Sequence, residues 1–539
     1  MGLSVRAGIA AYSDRVPASP PRLFPLWLAS LLSVVAGLAL TTAFPSLAWW
    51  PMAFPAVVLA LATLVGRGVW GSVLCGLLFG LSFFLVNVSF TGRYLGPIPW
   101  IALSVLEAAL VAIASIPISL AYRWMPRLLP GPWGRTLVLA LVVAGLWTAR
   151  EVLVGTFPYG GFPWARLGMT QADSPLARVS SWTGISGLTF LMVFVCAAAL
   201  EVIRLRRRAV WAAIPAAVVA VVLFALPAFP TTANGTLRVG WVQGNGPAGY
   251  FDSRTADAVL DAQLKATAPI ANERMDVLLW PEGGVDSDPT HNSATAAVLD
   301  AVSAQVQAPL LMNAATERGA DVFNSSMMWL DGAGATQTYD KRHPVPFGEY
   351  VPDRDFFYAL APDLVGLIQR GYTPGTAAPV MSVAGTTVGL AICFDVIYDD
   401  VVHDAARDGA SVYLLQTNNA DFRGTDENLQ QLAFARMRAI ETGRAVVNLS
   451  TVGTSQVIAP DGSVIAGLAG DEPGAAVTDV PLRTGLTPAV VIGDGVQVAL
   501  VAGSLVALAG AGGVLLWRRR RYAKTPAPAG GTGVDVERG

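Results

Sequence analysis

Seven apolar runs follow one another almost without a break from residue 24 to residue 228, and an eighth lies at 488–517. Crossing the hydrocarbon of a bilayer takes about 20 apolar residues. The runs 24–42, 48–65, 69–89, 98–121, 136–155, 180–203, 209–228 and 488–517 therefore read as eight membrane spans. Composition agrees: 14% of the chain is charged, against about 25% in soluble proteins. The first run follows arginines, as a signal peptide would, but further apolar segments succeed it at once, which favours an uncleaved span.

Arginine placement orients the spans. Arg6, Arg15 and Arg22 precede the first span, and Arg67 separates the second from the third. Arg123, Arg127 and Arg135 lie between four and five, Arg204 and Arg206 to Arg208 between six and seven, and Arg518 to Arg521 after eight. With eight spans all of these fall on one side, so both termini are expected in the cytoplasm. Arg93, Arg150, Arg166 and Arg178 lie on the other side and are fewer and more dispersed. The hydrophilic block between spans seven and eight then faces outward, away from ATP and other cytosolic cofactors.

The expected organisation is a cytoplasmic N-terminal segment (1–23), a membrane domain with seven spans (24–230), an extracytoplasmic globular domain (236–485), a last span, and a basic tail (518–539). The tail is rich in Pro, Ala and Gly and reads as disordered. Within the globular block, strand patterns at 237–242, 277–280, 310–313, 325–330, 387–393, 412–417 and 445–450 alternate with helical patterns at 256–266, 294–306 and 428–442. Short apolar strands between amphipathic helices argue for an α/β sandwich. The loop at 157–168, Phe-Pro-Tyr-Gly-Gly-Phe-Pro-Trp-Ala-Arg-Leu-Gly, reads either as an interfacial aromatic belt or as a lipid-facing lip beside a site.

Three cysteines are too few and too scattered for a disulfide framework or a metal cage. Cys75 and Cys196 lie inside apolar runs and read as small hydrophobes. Cys393 differs, because it closes the strand pattern Thr-Val-Gly-Leu-Ala-Ile-Cys. Glu282 closes Val-Leu-Leu-Trp-Pro-Glu (277–282), and Lys341 and Glu349 share the loop 339–350. Singly, each has an ordinary reading as a turn residue, a surface charge or core filler. Together they make a site: a thiol needs a base or a positive neighbour to become a nucleophile. A carboxylate supplies the base, and a lysine supports the thiolate and the oxyanion. The histidines (His291, His343, His403) sit in no recognisable cysteine-protease context. A net charge of −2, with no broad basic face, gives no sign of a nucleic-acid partner.

Trp-Pro-Glu (280–282), Lys341 followed by Val-Pro-Phe-Gly-Glu (345–349), and Ile-Cys-Phe-Asp (392–395) resemble the nitrilase superfamily, whose triad is Glu, Lys and Cys. Within it, the Lys-x-x-x-Val-Pro-Phe-Gly-Glu loop, Phe-Pro-Trp-x-x-Leu-Gly (162–168), Ala-Arg-Met-Arg-Ala-Ile-Glu-Thr-Gly-Arg (435–444), Val-Gln-Gly-Asn (242–245) and the spans resemble the apolipoprotein N-acyltransferases. The resemblance implies a polytopic helical membrane domain joined to an αββα sandwich. It further implies Glu282 as general base, Lys341 as oxyanion and thiolate stabiliser, Cys393 as nucleophile and Glu349 as a supporting carboxylate. The chain departs from the family at Phe394 and Asp395, where Tyr-Glu is usual. It also departs at Gly283 and Gly284, where a hydroxyl residue is usual, and at Gly-Asn-Gly-Pro (244–247).

The implied reaction is a two-step acyl transfer without cofactor or metal. Cys393 takes an acyl chain from a membrane phospholipid as a thioester and passes it to the α-amine of a diacylglyceryl apolipoprotein. Excluding water from the thioester asks for a lid, for which Tyr250, Phe251, Tyr350, Phe356, Phe357 and Phe422 are the expected aromatic residues; Tyr250, Phe251, Tyr350, Phe422 and Trp164 are expected in substrate binding or the lid. A membrane-tethered amidase is the alternative. The chain is expected to act as a monomer in the cell membrane. No glycosyltransferase domain follows span eight, so any such partner is a separate chain.

Overall fold

The computed structural model describes residues 21–205 and 211–524. The segment 1–20 with Arg6 and Arg15, the arginines 206–208 and the tail beyond 524, all used above for orientation or disorder, lie outside the described residues.

Among those residues five helices are long and apolar enough to cross a bilayer: Val69–Asn87, Pro97–Leu128, Gly134–Val154, Pro175–Leu205 and Pro488–Arg521. The other three expected spans correspond to the shorter apolar helices Leu26–Thr41, Trp50–Leu64 and Trp211–Ala225, each of 10–17 residues. At about 1.5 Å per residue, even 17 residues reach about 25 Å, short of a hydrocarbon core of about 30 Å. Turns around Phe44–Leu47 and an extended stretch at 226–231 stop these helices before the apolar letters run out. Small residues let neighbours approach closely. A Cβ added at Gly76 would lie 2.2 Å from Ser115 Oγ, and one at Gly80 2.7 Å from the Ala108 Cα.

The globular part holds two six-stranded sheets. The strands of the first are β1 (Thr232–Gln243), β2 (Val277–Leu279), β3 (Leu310–Arg318), β4 (Asp321–Leu330), β5 (Gly334–Asp340) and β12 (Gly474–Thr484), ordered β12-β1-β2-β3-β4-β5. The second contains β6 (Val380–Val383), β7 (Thr386–Ile392), β8 (Val412–Thr417), β9 (Ala445–Ser450), β10 (Ser455–Ile458) and β11 (Val464–Leu468), ordered β11-β10-β9-β8-β7-β6. In each sheet the central strands run parallel. β8 and β9 are buried along their whole length, as strands covered on both faces must be. Trp241, Leu279 and Leu311 of one sheet meet Leu390, Leu414 and Val447 of the other in a shared core.

Helices Ala258–Thr267 and Ser293–Val306 cover the outer face of the first sheet, packing Leu260 and Leu299 among Trp280 and Met312. The outer face of the second sheet carries Asp399–Arg407 and Glu427–Thr442. These helices do not end the molecule. Phe434, Met437 and Ile440 belong to one apolar cluster that runs from Leu415 and Val446 of the sheet into Trp164, Leu188 and Val193 of the membrane domain. The sandwich therefore lies on the membrane domain through one of its helix layers.

Every strand expected from the sequence is present. The sequence reading lacked β5, β6, β10, β11 and β12. β12 is largely half-exposed and carries Pro481, so it shows no apolar run, and β11 is a short, largely exposed strand.

Candidate active site

Glu282, Lys341, Glu349 and Cys393 converge at the ends of strands, as their positions at strand–loop junctions require. Pro281 ends the pairing of β2 and releases Glu282. Lys341 follows directly on β5, and the turn Val345–Tyr350 folds Glu349 back toward it. Lys341 Nζ lies 2.9 Å from Glu349 Oε2 and 3.3 Å from Glu282 Oε1, with the lysine side chain only 1% exposed. Asn324 of β4 donates to both carboxylates, at 2.7 Å to Glu282 and 3.0 Å to Glu349. Asn313 of β3 holds Asn324 in turn, donating to its Oδ1 at 2.8 Å. The Val345 N–H donates to Glu349 at 2.7 Å.

These bonds part the two carboxyls. Burial works against the Lys341 ammonium, but Glu282 and Glu349 outweigh it and keep the lysine protonated. Burial also pushes each carboxyl up. For Glu349 the closer Lys341 and the Val345 N–H prevail and hold it low. For Glu282 burial wins over Lys341, and its pKa stays above the ordinary carboxylate value. The pair thus consists of one carboxylate locked in an ion pair and one with raised basicity, free to exchange a proton.

Cys393 stands where β7 gives way to the short 3-10 turn Cys393–Ile397. Its φ is +50°, a left-handed conformation that a non-glycine residue adopts only under restraint. Asp395 supplies the restraint: its carboxylate accepts from Ile392 N at 3.3 Å, His343 N at 2.9 Å and the Tyr339 hydroxyl at 2.9 Å. Asp395 therefore clamps the turn, and the shorter side chain has a full set of donors. Phe394 needs no hydroxyl, because it stacks on Phe162 and Trp164 and meets Tyr398 edge-on. Gly283 has φ +61°, which favours glycine at that position over the hydroxyl residue usual in the family. Burial and the Glu282 charge push the Cys393 thiol well up, against the pull of Lys341. The thiol at rest keeps its proton, so attack requires a base at hand.

The expected lid residues divide. Trp164 is buried, donates from Nε1 to Gln430 at 2.5 Å and stacks on Phe162, so it packs as a wedge between the helical part and the sandwich. Phe422 meets Phe90 of the membrane domain edge-on at 5.5 Å. Tyr250 and Phe251 pack against Tyr94, with Phe251 51% exposed. Tyr350 closes the turn that carries Glu349, its carbonyl accepting from Phe347 N at 2.7 Å. Phe356 is exposed, and Phe357 packs on Phe347 and Tyr159. The loop 157–168 is less a belt than a strut. Arg166 reaches Asp399 at 2.8 Å and the Ile397 carbonyl at 2.9 Å, and Tyr398 donates to the Gly161 carbonyl at 2.9 Å. Burial alone would raise Asp399, yet Arg166 and Arg438 hold its carboxyl far below the usual range.

Sequence reasoning missed a polar chain behind the sulfur. Gln431 donates to Cys393 Sγ at 3.3 Å, and Asn419 Nδ2 donates at 2.7 Å to both Gln431 and Glu427. Glu427 is 2% exposed, and burial, aided by the charge of Glu282 and opposed by Asn419, lifts its pKa to about 8. The signal was faint: the expected helix began at 428, one residue too late. A buried carboxyl with a raised pKa stabilises the fold below its ordinary value of 4.5, and that stability is lost as pH rises through about 8. Replacing Glu427→Gln is expected to flatten the fall in thermal stability across that window, on the order of 2–4 kcal/mol at the alkaline end. Thermal melts of both proteins from pH 5 to 9 check this, and parallel curves would refute it.

Comparison with known proteins adds the following. Residues 36–198 match the apolipoprotein N-acyltransferase N-terminal domain, and residues 238–485 match carbon-nitrogen hydrolase. An apolipoprotein N-acyltransferase of Mycolicibacterium smegmatis is 31% identical, over 88% of this chain and 83% of its own length. One from Vibrio cholerae is 27% identical, over 85% and 92%. Among solved structures, an amidase from Nesterenkonia sp. is 20% identical over 47% of this chain and 93% of its own, with a TM-score of 0.36.

Proposed function

The chain belongs to the apolipoprotein N-acyltransferase family, and from that premise we propose that it moves an acyl chain from a membrane phospholipid to the α-amine of a diacylglyceryl apolipoprotein, through a thioester on Cys393. The observation that carries this reading is where the sulfur stands. The residue after it, Phe394, packs on Phe162 and Trp164 of a loop between membrane helices, so the nucleophile lies beside the bilayer part of the molecule.

In the first step Glu282 takes the thiol proton as the sulfur attacks the ester carbonyl. The raised basicity of Glu282 suits it for that exchange. Lys341, fixed by two carboxylates, offers positive charge to the oxyanion without reorganising. Collapse returns the proton to the departing glyceryl oxygen and leaves a lysophospholipid and the acyl thioester. In the second step Glu282 accepts a proton from the incoming amine, the nitrogen attacks the thioester, and the thiol is restored as the amide leaves. Glu349 and Asn324 position Lys341 and Glu282.

The proposed topology keeps eight spans, three of them short, with both termini cytoplasmic and the sandwich on the outer side of the cell membrane. Short spans are accommodated by local thinning of the bilayer. One polypeptide supplies every residue of the site, so the enzyme is proposed to act as a monomer, with any glycosyltransferase a separate partner.

The test is mass detection of an acyl adduct on the Cys393 peptide after the purified protein meets phospholipid. The adduct should then discharge onto a synthetic diacylglyceryl-cysteinyl peptide. Free fatty acid in place of the amide would overturn the transfer reading in favour of a hydrolase.

A further inference from the structure

Arg370, near the site, is a half-buried cation with no acid beside it among the described residues. Lys341 holds two carboxylates, Arg166 and Arg438 share Asp399, and Arg423 reaches Asp252. Among the described residues Arg370 has no hydrogen-bond and no ion-pair partner. Its guanidinium lies over the ring of Tyr250, 4.2 Å from the centroid, and the residue is half-buried.

The stack is built and held. The Tyr250 hydroxyl donates to the Leu367 carbonyl at 3.2 Å and accepts from Gln369 N at 3.1 Å, so it fixes the segment that leads into Arg370. Two residues on, Tyr372 N donates to the Glu349 carbonyl at 3.1 Å, which ties the same segment to the loop of the Lys341 partner. From the membrane side Tyr94 packs on Tyr250 at 6.0 Å and donates to the Gly348 carbonyl at 3.2 Å. Burial lowers the Arg370 pKa, but Tyr372, Tyr94, Glu349 and Asp421 raise it further, so the group stays charged.

We propose that Arg370 is the docking residue for the phosphodiester of the lipid acyl donor, at the junction of the membrane and catalytic domains. This deepens the acyl-transfer reading and rests on it. Stacking on Tyr250 occupies a face of the guanidinium and leaves its edge of N–H donors free, a fork that matches two phosphate oxygens. Through Tyr372 the segment borders the Glu349 loop, which favours a phospholipid, whose phosphate and acyl ester are one glycerol unit apart. The position does not suit the acceptor, whose reacting end is an ammonium that Arg370 would repel. The site gives the enzyme a way to prefer a phosphate-bearing donor over a neutral diacylglycerol with the same chains.

The experiment compares wild type with Arg370→Gln and Arg370→Lys in detergent, using phosphatidylglycerol and the matching diacylglycerol as acyl donors. Calorimetry with a short-chain phospholipid and with inorganic phosphate reads binding alone. Loss of a charge-assisted pair is expected to raise the KM for thioester formation from phosphatidylglycerol about 10- to 100-fold in Arg370→Gln, with kcat little changed. Arg370→Lys should recover part of the loss, and the diacylglycerol rate should not move. Short-chain phospholipid should bind wild type and not Arg370→Gln. Competition by inorganic phosphate alone at equal concentration would show an anion site not built for lipid, and would overturn the proposal. Equal losses with both donors, or none with either, would also overturn it. If no donor charges Cys393 in wild type, acyl transfer itself fails, while the calorimetry still decides whether Arg370 binds the phosphodiester.

Discussion

A Cys393→Gly variant is expected to be catalytically silent and yet more stable than its parent by about 1 kcal/mol. The silence follows from the proposed role of the sulfur: without it no thioester forms, and loss of a covalent nucleophile lowers turnover by at least about 10^4-fold. The stability follows from the backbone. Cys393 holds a φ of +50°, and a non-glycine residue there costs on the order of 1–3 kcal/mol. Glycine adopts that conformation freely, and its larger unfolded-state entropy gives back about 0.5–1 kcal/mol. The measurement pairs an acyl-adduct assay with chemical unfolding in the same detergent. A variant less stable than wild type would show that the turn is not strained, and residual adduct on another residue would remove Cys393 from its proposed place.

The second large effect concerns Lys341→Met, which keeps the length of the side chain and removes its charge. Two buried carboxyls would then face each other with Asn324 as their common donor. Breaking a buried ion pair from one side costs about 3–5 kcal/mol, and losing an oxyanion partner costs about 10^2–10^3 in turnover. The pH dependence gives the sharper reading. In wild type the Glu349 carboxyl is held low, so its contribution to stability is present above the ordinary carboxylate range and is lost as pH falls through its folded value. Without Lys341 burial is left to push the carboxyl up, and stability is instead lost as pH rises. Between pH 4 and 8 the unfolding midpoint should therefore fall more steeply in Lys341→Met than in wild type, where the raised Glu427 already gives a fall. Equal slopes would mean that the lysine is not what holds Glu349 ionised.

Glu282 and Cys393 were legible because each closes an apolar strand pattern, and Lys341 because it stands in the loop 339–350 with Glu349. Their supports were not legible. Asn324 lies in β4 one residue before the apolar stretch that marked that strand. Gln431, Asn419 and Glu427 gain meaning only when helix Glu427–Thr442 is laid against the turn of Cys393. A lone arginine such as Arg370 looks like any surface charge until it is seen to lack an acid. The same holds for the membrane part. Apolar letters mark eight segments, but only backbone turns reveal that three of the helices are short. An aromatic in a Gly-Pro loop, such as Trp164, gives no hint in the sequence of which side it faces.

The apolar cluster that joins sheet and membrane helices means that the boundary between the two matched families is not a mechanical joint. Phe434, Met437 and Ile440 serve as floor for one half and ceiling for the other. Cutting the chain near residue 236 would therefore not yield a free-standing enzyme but a sandwich with one greasy side laid bare. The covalent order of the polypeptide divides what the packing has already fused, and the turn of Cys393 is anchored in both halves at once.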